Sequence, residues 1–253
     1  MRVALVLGGV EEGGLEKHFV ELCNGLSECG VHVVAIAHSK YGGRFSPSVR
    51  FEAVNLARGR RNPWALLRLY IILRRSQVDL IHAHAGKAMA MVASLLPFLR
   101  IPAVGTIHNV KSKTRYLARF AGLIAVSSSV IAGVKHNQVC IIHNGIPLPT
   151  HPDDRDLQAL RCELAISAGP IVLSIGRLAS AKGFDVLLSA WQQVNSSATL
   201  IIVGDGPERH HLEAQTNALR LNARVRFLGA RTDALALIAL ADCLVIASRN
   251  EGG

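Results

Sequence analysis

Ile171-Val-Leu-Ser-Ile-Gly-Arg-Leu-Ala-Ser-Ala-Lys-Gly-Phe184 reads in four pieces. Residues 171–175 are a mostly apolar run of strand length, and Gly176 turns the chain. Arg177 and Lys182 follow, five residues apart, and a helix opens at Gly183. A strand that ends in glycine and feeds a helix brings backbone N–H groups and the positive end of a helix dipole to one point. Arg177 adds a planar fork for phosphate oxygens and Lys182 a compact point charge. Such a loop suits a diphosphate. A solvated turn with two surface cations is the alternative that these residues leave open.

Outward from this stretch, strand and helix patterns alternate in both directions. Near the amino terminus, residues 3–7 are a continuous apolar run, as a strand covered on both faces requires. The glycine-rich loop Gly8-Gly-Val-Glu-Glu-Gly-Gly14 follows. On the next helix Leu15, Phe19, Leu22, Leu26 and Cys29 form one stripe, and Gly30 stops it. Strands are predicted at 31–37, 49–54, 79–82, 103–107, 122–126 and 139–142. Helices are predicted at 64–73, opened by Pro63, and at 86–96. His143-Asn-Gly-Ile-Pro-Leu-Pro149 is rich in turn residues, and a polar helix at 153–164 follows. The alternation then restarts with strands at 171–175, 199–203, 225–228 and 243–247 and helices at 183–194, from Pro207, and at 232–240. The pattern predicts an α/β protein of two Rossmann-like, doubly wound parallel-sheet domains. Residues 1–148 form the first, 149–168 a hinge and 169–253 the second. The second shows four strands and no helix after the last, so it is expected to be incomplete, cut short at its carboxyl end.

The chain carries 28 Lys/Arg against 18 Asp/Glu, and the excess lies in one half. Residues 1–150 hold 18 basic and 7 acidic side chains, whereas residues 151–253 hold 10 and 11. Between Ala53 and Thr150, Asp79 is the only acid, against 13 Lys/Arg. A surface that meets only water mixes its signs, so this half is expected to face an anionic membrane surface, a phosphorylated acceptor or nucleic acid. Aromatic residues are 5% of the chain and no nucleic-acid motif is present, which argues against the last. Five scattered cysteines without a C-x-x-C pair fit reduced thiols in a cytoplasmic protein rather than a disulfide or zinc framework. No apolar run reaches the roughly 18 residues of a membrane span.

Ligands of a doubly wound sheet sit at the carboxyl ends of its strands. Gly13-Gly14 lies at such an end, although its spacing matches neither G-x-G-x-x-G nor G-K-[ST]. His82-Ala-His84 is read with its imidazoles on opposite faces of the strand, which disfavours a shared metal and leaves packing or substrate-lining roles. His108, just past a strand, is either structural or catalytic. Gly204-Asp-Gly-Pro207 ends a strand and brings proline to a helix start, with no second carboxylate near Asp205 to make a metal site. Glu251, in Asn250-Glu-Gly-Gly253, is able to accept hydrogen bonds from sugar hydroxyls.

Taken together these pieces resemble the family-4 group of GT-B glycosyltransferases across nearly the whole chain. Gly13-Gly-Leu-Glu16 is similar to the family's G-G-x-E loop. Asp79-Leu-Ile-His-Ala-His84 and Gly105-Thr-Ile-His108 resemble its successive strand ends, and Asn144-Gly-Ile146 the approach to its hinge. Gly176-Arg-Leu-Ala-Ser-Ala-Lys-Gly183 resembles the donor-phosphate motif. Val203-Gly-Asp-Gly-Pro207, Phe227-Leu-Gly229 and Ser248-Arg-Asn-Glu-Gly-Gly253 fit in the same order.

The resemblance implies transfer of a sugar from a nucleotide-diphosphate sugar, with retention of configuration and without a metal or other cofactor. It implies a donor lying between the domains, its diphosphate held by Arg177 and Lys182 with help from the Gly14 backbone. Glu251 would contact sugar hydroxyls, Gly252 and Gly253 would offer amides, and His108 would line the sugar site. The basic amino-terminal domain becomes the acceptor side, suited to an anionic lipid-linked acceptor of cell-envelope synthesis and to peripheral contact with the inner membrane face. The family pairs its first glutamate with a second eight residues on, and that position lies beyond residue 253. A non-catalytic nucleotide-sugar-binding remnant and a nucleotide-sugar epimerase on the same fold are the alternatives.

Overall fold

Every side chain of β1 (Arg2–Leu7) after Arg2 is buried, because helices cover both faces of the strand. The computed structural model describes residues 1–11, 13–57, 59–109, 115–131, 133–145, 152–164, 166 and 169–249. The chain divides into two units, Met1–Ile146 and a second that starts at Pro147. In the first, β1 is followed by α1 (Gly14–Glu28), β2 (His32–Ala37), β3 (Arg50–Ala53) and α2 (Pro63–Arg75). Then come β4 (Leu80–His84), α3 (Ala85–Leu99), β5 (Ala103–Ile107), β6 (Gly122–Ala125) and β7 (Val139–Ile141). All seven strands are parallel, in the order β3-β2-β1-β4-β5-β6-β7. The order reverses between β1 and β4, the switch point at which such sheets take ligands.

The two faces of β1 bury different helices. Val3, Leu5 and Leu7 pack with Phe19 and Cys23 of α1. Ala4 and Val6 belong to the core that holds Leu69 and Leu73 of α2 with Met89 and Val92 of α3. The predicted stripe on α1 is rotated: Phe19, Val20 and Cys23 are buried, Leu15, Leu22 and Leu26 partly so, and Cys29 caps the helix in solvent. α2 begins as expected, with Pro63 in its first turn and the Asn62 side chain accepting from Ala65 N at 3.1 Å.

α3 runs beyond its predicted end, through Pro97 to Leu99. Proline has no N–H for the carbonyl four residues back, which here is Ala93 O. The guanidinium of Arg119 donates to that oxygen at 2.8 Å, so the buried carbonyl is satisfied without breaking the helix.

The second unit contains α4 (Asp154–Glu163), β8 (Ile171–Ile175), α5 (Phe184–Trp191), β9 (Thr199–Val203), α6 (Arg209–Ala218), β10 (Val225–Gly229), α7 (Ala234–Leu240) and β11 (Cys243–Leu244). Its four strands are parallel in the order β10-β9-β8-β11, so β8 stands at the reversal. β11 is shorter than its apolar run predicts. Val245 N still donates to Leu173 O at 2.8 Å, but the Ser174 hydroxyl takes Val245 O at 2.8 Å. α6 begins at Arg209 rather than at Pro207, because Glu208 N donates to Leu178 O at 2.9 Å and holds the turn against the loop after β8. Among the described residues no helix is long and apolar enough to cross a membrane.

The Pro97–Arg119 arrangement is testable by a double-mutant cycle. Arg119→Met leaves Ala93 O unsatisfied and is expected to destabilise the protein by about 1 kcal/mol in urea unfolding. Pro97→Ala restores an N–H and should recover most of that loss when combined with Arg119→Met. Additive effects of the two changes would show that Arg119 does not serve the carbonyl.

Candidate functional site

Each unit carries its singled-out loop at the switch point of its own sheet. In the second unit the chain leaves β8 at Gly176. Gly176 N donates to Val203 O at 2.9 Å and Leu178 N to Asp205 O at 2.9 Å, so the loops after β8 and β9 are laced together. The fit leaves no room for side chains. A Cβ on Gly204, whose φ is +134°, would fall 1.9 Å from Gly176 O. One on Gly183, φ +66°, would fall 2.1 Å from Ala247 O. Gly183 is thereby the left-handed cap of α5, which starts one residue later than predicted.

Arg177 is exposed, Lys182 is half-buried and Leu178 between them is fully buried, so the loop is anchored by one apolar side chain. A Cβ on Gly176 would lie 4.0 Å from Lys182 Cδ, which puts the lysine stem back over the strand end. The loop is braced from the chain beyond β11. Arg249 forks onto Asp185 at 2.8 and 2.5 Å, donates to Ser180 O at 2.6 Å, and its backbone N donates to Ala181 O at 2.9 Å. The Arg249 hydrogen bond holds the Asp185 carboxyl below the usual range. Neither Asp185 nor Arg249 was singled out in the sequence as a brace, since nothing local links positions 64 residues apart.

In the first unit Gly13 caps α1 in extended backbone and Gly14 is the first, exposed residue of the helix. Glu16, buried in that first turn, folds its carboxylate over the loop. A Cβ on Gly9 would lie 2.8 Å from Glu16 Oε1 and one on Gly13 3.2 Å from Oε2. Lys40 and Tyr41, from the turn after β2, hold the other side: Lys40 Nζ donates to Val10 O and to Glu11 O, and Tyr41 Oη donates to Glu11 O at 2.6 Å. Sequence reading missed both.

Next to this loop stand four histidines. His82 and His84 lie on one face of β4, with ring centroids 4.1 Å apart, not on opposite faces as read from the sequence. Residues i and i+2 of a strand share a face. Register places them beside Leu5 and Leu7, on the α1 side. His82 Nε2 bonds Thr106 Oγ1 at 2.7 Å, and His84 Nδ1 meets His108 Nε2 at 3.4 Å. His18 of α1, which the sequence did not bring forward, lies edge-on to His108 with centroids 5.6 Å apart. His84 is fully buried and its Nε2 has no hydrogen-bond partner among the described residues. A buried N–H without an acceptor costs more than a vacant lone pair. The proton is therefore assigned to His84 Nδ1, donating to His108 Nε2, which leaves the His108 proton on its own Nδ1.

Among the described residues no group of three or more His, Cys, Asp or Glu is arranged to hold a metal. Glu251, Gly252 and Gly253 lie outside the described residues, as does the turn at 146–151.

Burial lowers the pKa of His82 to about 4 and that of His84 well below the ordinary value, each helped by the neighbouring imidazoles. Unfolded, these groups take up protons near pH 6.5. Below that pH the unfolded chain binds more protons than the folded one, so stability present at neutral pH is lost as pH falls from 6.5 toward 4. His82 alone is expected to remove about 2 kcal/mol between pH 7 and pH 5, and His82→Gln should reduce the drop measured by urea unfolding. Equal stability of the parent at the two pH values would refute the neutral cluster.

The chain matches known proteins along its length. Residues 12–149 match the model of Glycosyltransferase Family 4, and residues 159–253 that of Glycosyl transferases group 1. The lipopolysaccharide core biosynthesis glycosyltransferase LpsD of Rhizobium meliloti is 29% identical over 95% of this chain and 70% of its own length. The phosphatidyl-myo-inositol mannosyltransferase of Mycobacterium tuberculosis is 27% identical over 95% and 68%. Among solved structures, Anabaena Alr3699/HepE in complex with UDP and glucose superposes with a TM-score of 0.83 at 21% identity, covering 98% of this chain and 74% of that one. At that identity the likeness speaks for the fold, and the family match speaks for the lineage. The chain belongs to Glycosyltransferase Family 4 and is a transferase of the GT-B fold, built on two parallel sheets.

Proposed function

We propose that the protein transfers a sugar from a nucleotide-diphosphate sugar to an anionic, lipid-linked acceptor of the lipopolysaccharide or glycolipid type, with retention of configuration and without a metal. The observation that carries this reading is the loop after β8. It brings Arg177, the folded-back stem of Lys182 and the amino terminus of α5 to one strand end, within backbone fixed by Gly183 and Gly204. As the glycosidic bond breaks, its electron pair moves onto the departing phosphate oxygen. Arg177, Lys182 and the helix dipole offset that growing charge, which stabilises the transition state rather than the ground state.

His108 lines the sugar site and orients a hydroxyl through its ring, with the Gly14 backbone beside the diphosphate. Glu251 takes sugar hydroxyls, and Gly252 and Gly253 supply amides. Residues 169–253 are the donor side and the basic residues 1–148 the acceptor side, resting peripherally on the cytoplasmic face of the inner membrane. The names of the relatives support the class of acceptor: LpsD acts in lipopolysaccharide core synthesis and the mycobacterial relative on phosphatidyl-myo-inositol. The UDP and glucose bound by Alr3699/HepE support the class of donor.

Lys182→Ala is expected to weaken UDP binding in calorimetry and to lower kcat/KM by about 100-fold or more, as loss of one transition-state donor does. Arg177→Lys should fall between parent and alanine variant, because it keeps the charge and loses the fork. Near-parental transfer by Lys182→Ala would sink the diphosphate role. Proton NMR of the first-formed product reads the anomeric configuration, and an inverted product would overturn retention.

A further inference from the structure

Of the imidazoles beside the first-unit loop, His82, His84 and His108 are buried and already bonded, the first to Thr106 and the other two to each other. His18 differs from them. It is half-buried, and it makes no hydrogen bond to any described residue. Its place on α1 is specific. Gly14, exposed, lies four residues earlier and so one turn along the same helix face. His108 stands edge-on to the ring with centroids 5.6 Å apart, and His84 lies at 6.1 Å. A substrate reaching from the Gly14 backbone to the His108 ring therefore passes beside His18.

The charge around the ring selects what it can hold. Burial lowers the pKa of His18, and Glu21, one turn further along α1, opposes that only in part. Glu21 is itself paired with Lys17 at 3.8 Å, and the Glu16 carboxylate turns to Gly9 and Gly13. From β4 and from the end of β5 the ring is faced by His82, His84 and His108, which supply no negative charge. A neutral imidazole carries one N–H and one lone pair. A phosphate oxygen uses only the N–H and favours the protonated ring. A hydroxyl, which can donate, suits the lone pair that the site preserves.

We propose that His18 is a further substrate-touching residue, its ring lone pair accepting a hydrogen bond from a hydroxyl of the sugar acceptor. The inference rests on the transferase reading and on residues 1–148 as the acceptor side. The bond moves no proton; it turns the hydroxyl oxygen toward the sugar that His108 lines, which is catalysis by orientation.

Transfer from UDP-glucose to deacylated lipopolysaccharide core oligosaccharide tests the role. His18→Phe keeps a packed ring and loses both nitrogens. It is expected to lower kcat/KM for the oligosaccharide by about tenfold, with the KM for UDP-glucose and the thermal midpoint unchanged. His18→Gln packs less well but offers a carbonyl oxygen, so it should recover part of the loss. A histidine kept for packing alone gives the reverse order, with His18→Phe near the parent. The parent's kcat/KM for the oligosaccharide should decline as pH falls below about 6.5, because protonation removes the lone pair. His18→Gln should lack that decline. A decline that persists in His18→Gln, or a rise toward acid pH in the parent, would overturn the proposal. A loss confined to the KM for UDP-glucose would overturn it too, moving His18 to the donor and leaving the transferase reading standing. Absence of UDP binding by the parent in calorimetry would remove both.

Discussion

Parallel pairing is the constraint on which the rest of this molecule depends. A strand in a parallel sheet must be followed by a crossover to one face, and at the point where strand order reverses, successive crossovers leave toward opposite faces. In the first unit β1 sends its chain to α1, over Leu5 and Leu7, while β4 sends its chain to α3, over Ala4 and Val6. Between these diverging connections lie the carboxyl ends of the strands, where Gly8 follows β1, His84 ends β4 and His108 follows β5. In the second unit β8 occupies the reversal, and the loop bearing Arg177 and Lys182 leaves it beside the segment after β11. Both loops owe their positions to topology before any side chain is considered.

What topology leaves open, cross-links close. An anion site works as a transition-state stabiliser only if its donors are fixed before charge develops. The second-unit loop is fixed by a buried leucine, by backbone bonds to the loop after β9 and by the Arg249–Asp185 fork. The first-unit loop is fixed by Glu16 from within and by Lys40 and Tyr41 from across the sheet. The two solutions differ in chemistry and agree in effect: each holds glycine-rich backbone in place.

The legible part of the chain was the part governed by local rules. The continuous apolar run at 3–7 read directly as a strand buried on both faces, the stretches at 103–107 and 199–203 as further strands, and Pro63 as a helix start. Reading failed where a distant group intervened. Pro97 should end a helix, and does not, because Arg119 serves the carbonyl it orphans. The run at 243–247 should pair throughout, and yields a two-residue strand, because the Ser174 hydroxyl takes a carbonyl from the ladder. The face of His82 and His84 was a different failure: the period of two was in the sequence and was misapplied. Lys40 and Tyr41 reach the loop after β1 across 29 and 30 residues, and Arg249 reaches Asp185 and Ser180 across 64 and 69, and no spacing rule extends that far.

A core position on β4 facing α1 suits valine or leucine, as the neighbouring positions of β1 do. Placing His82 and His84 there forces both to stay neutral, so neither is suited to bind an anion by charge or to exchange protons at neutral pH. What a neutral buried imidazole can do is fix its neighbour. The proton on His84 Nδ1 sets the tautomer of His108, and Thr106 anchors His82 behind it. The role proposed for His108 thus depends on a buried neighbour that stays neutral, His84 at the end of β4.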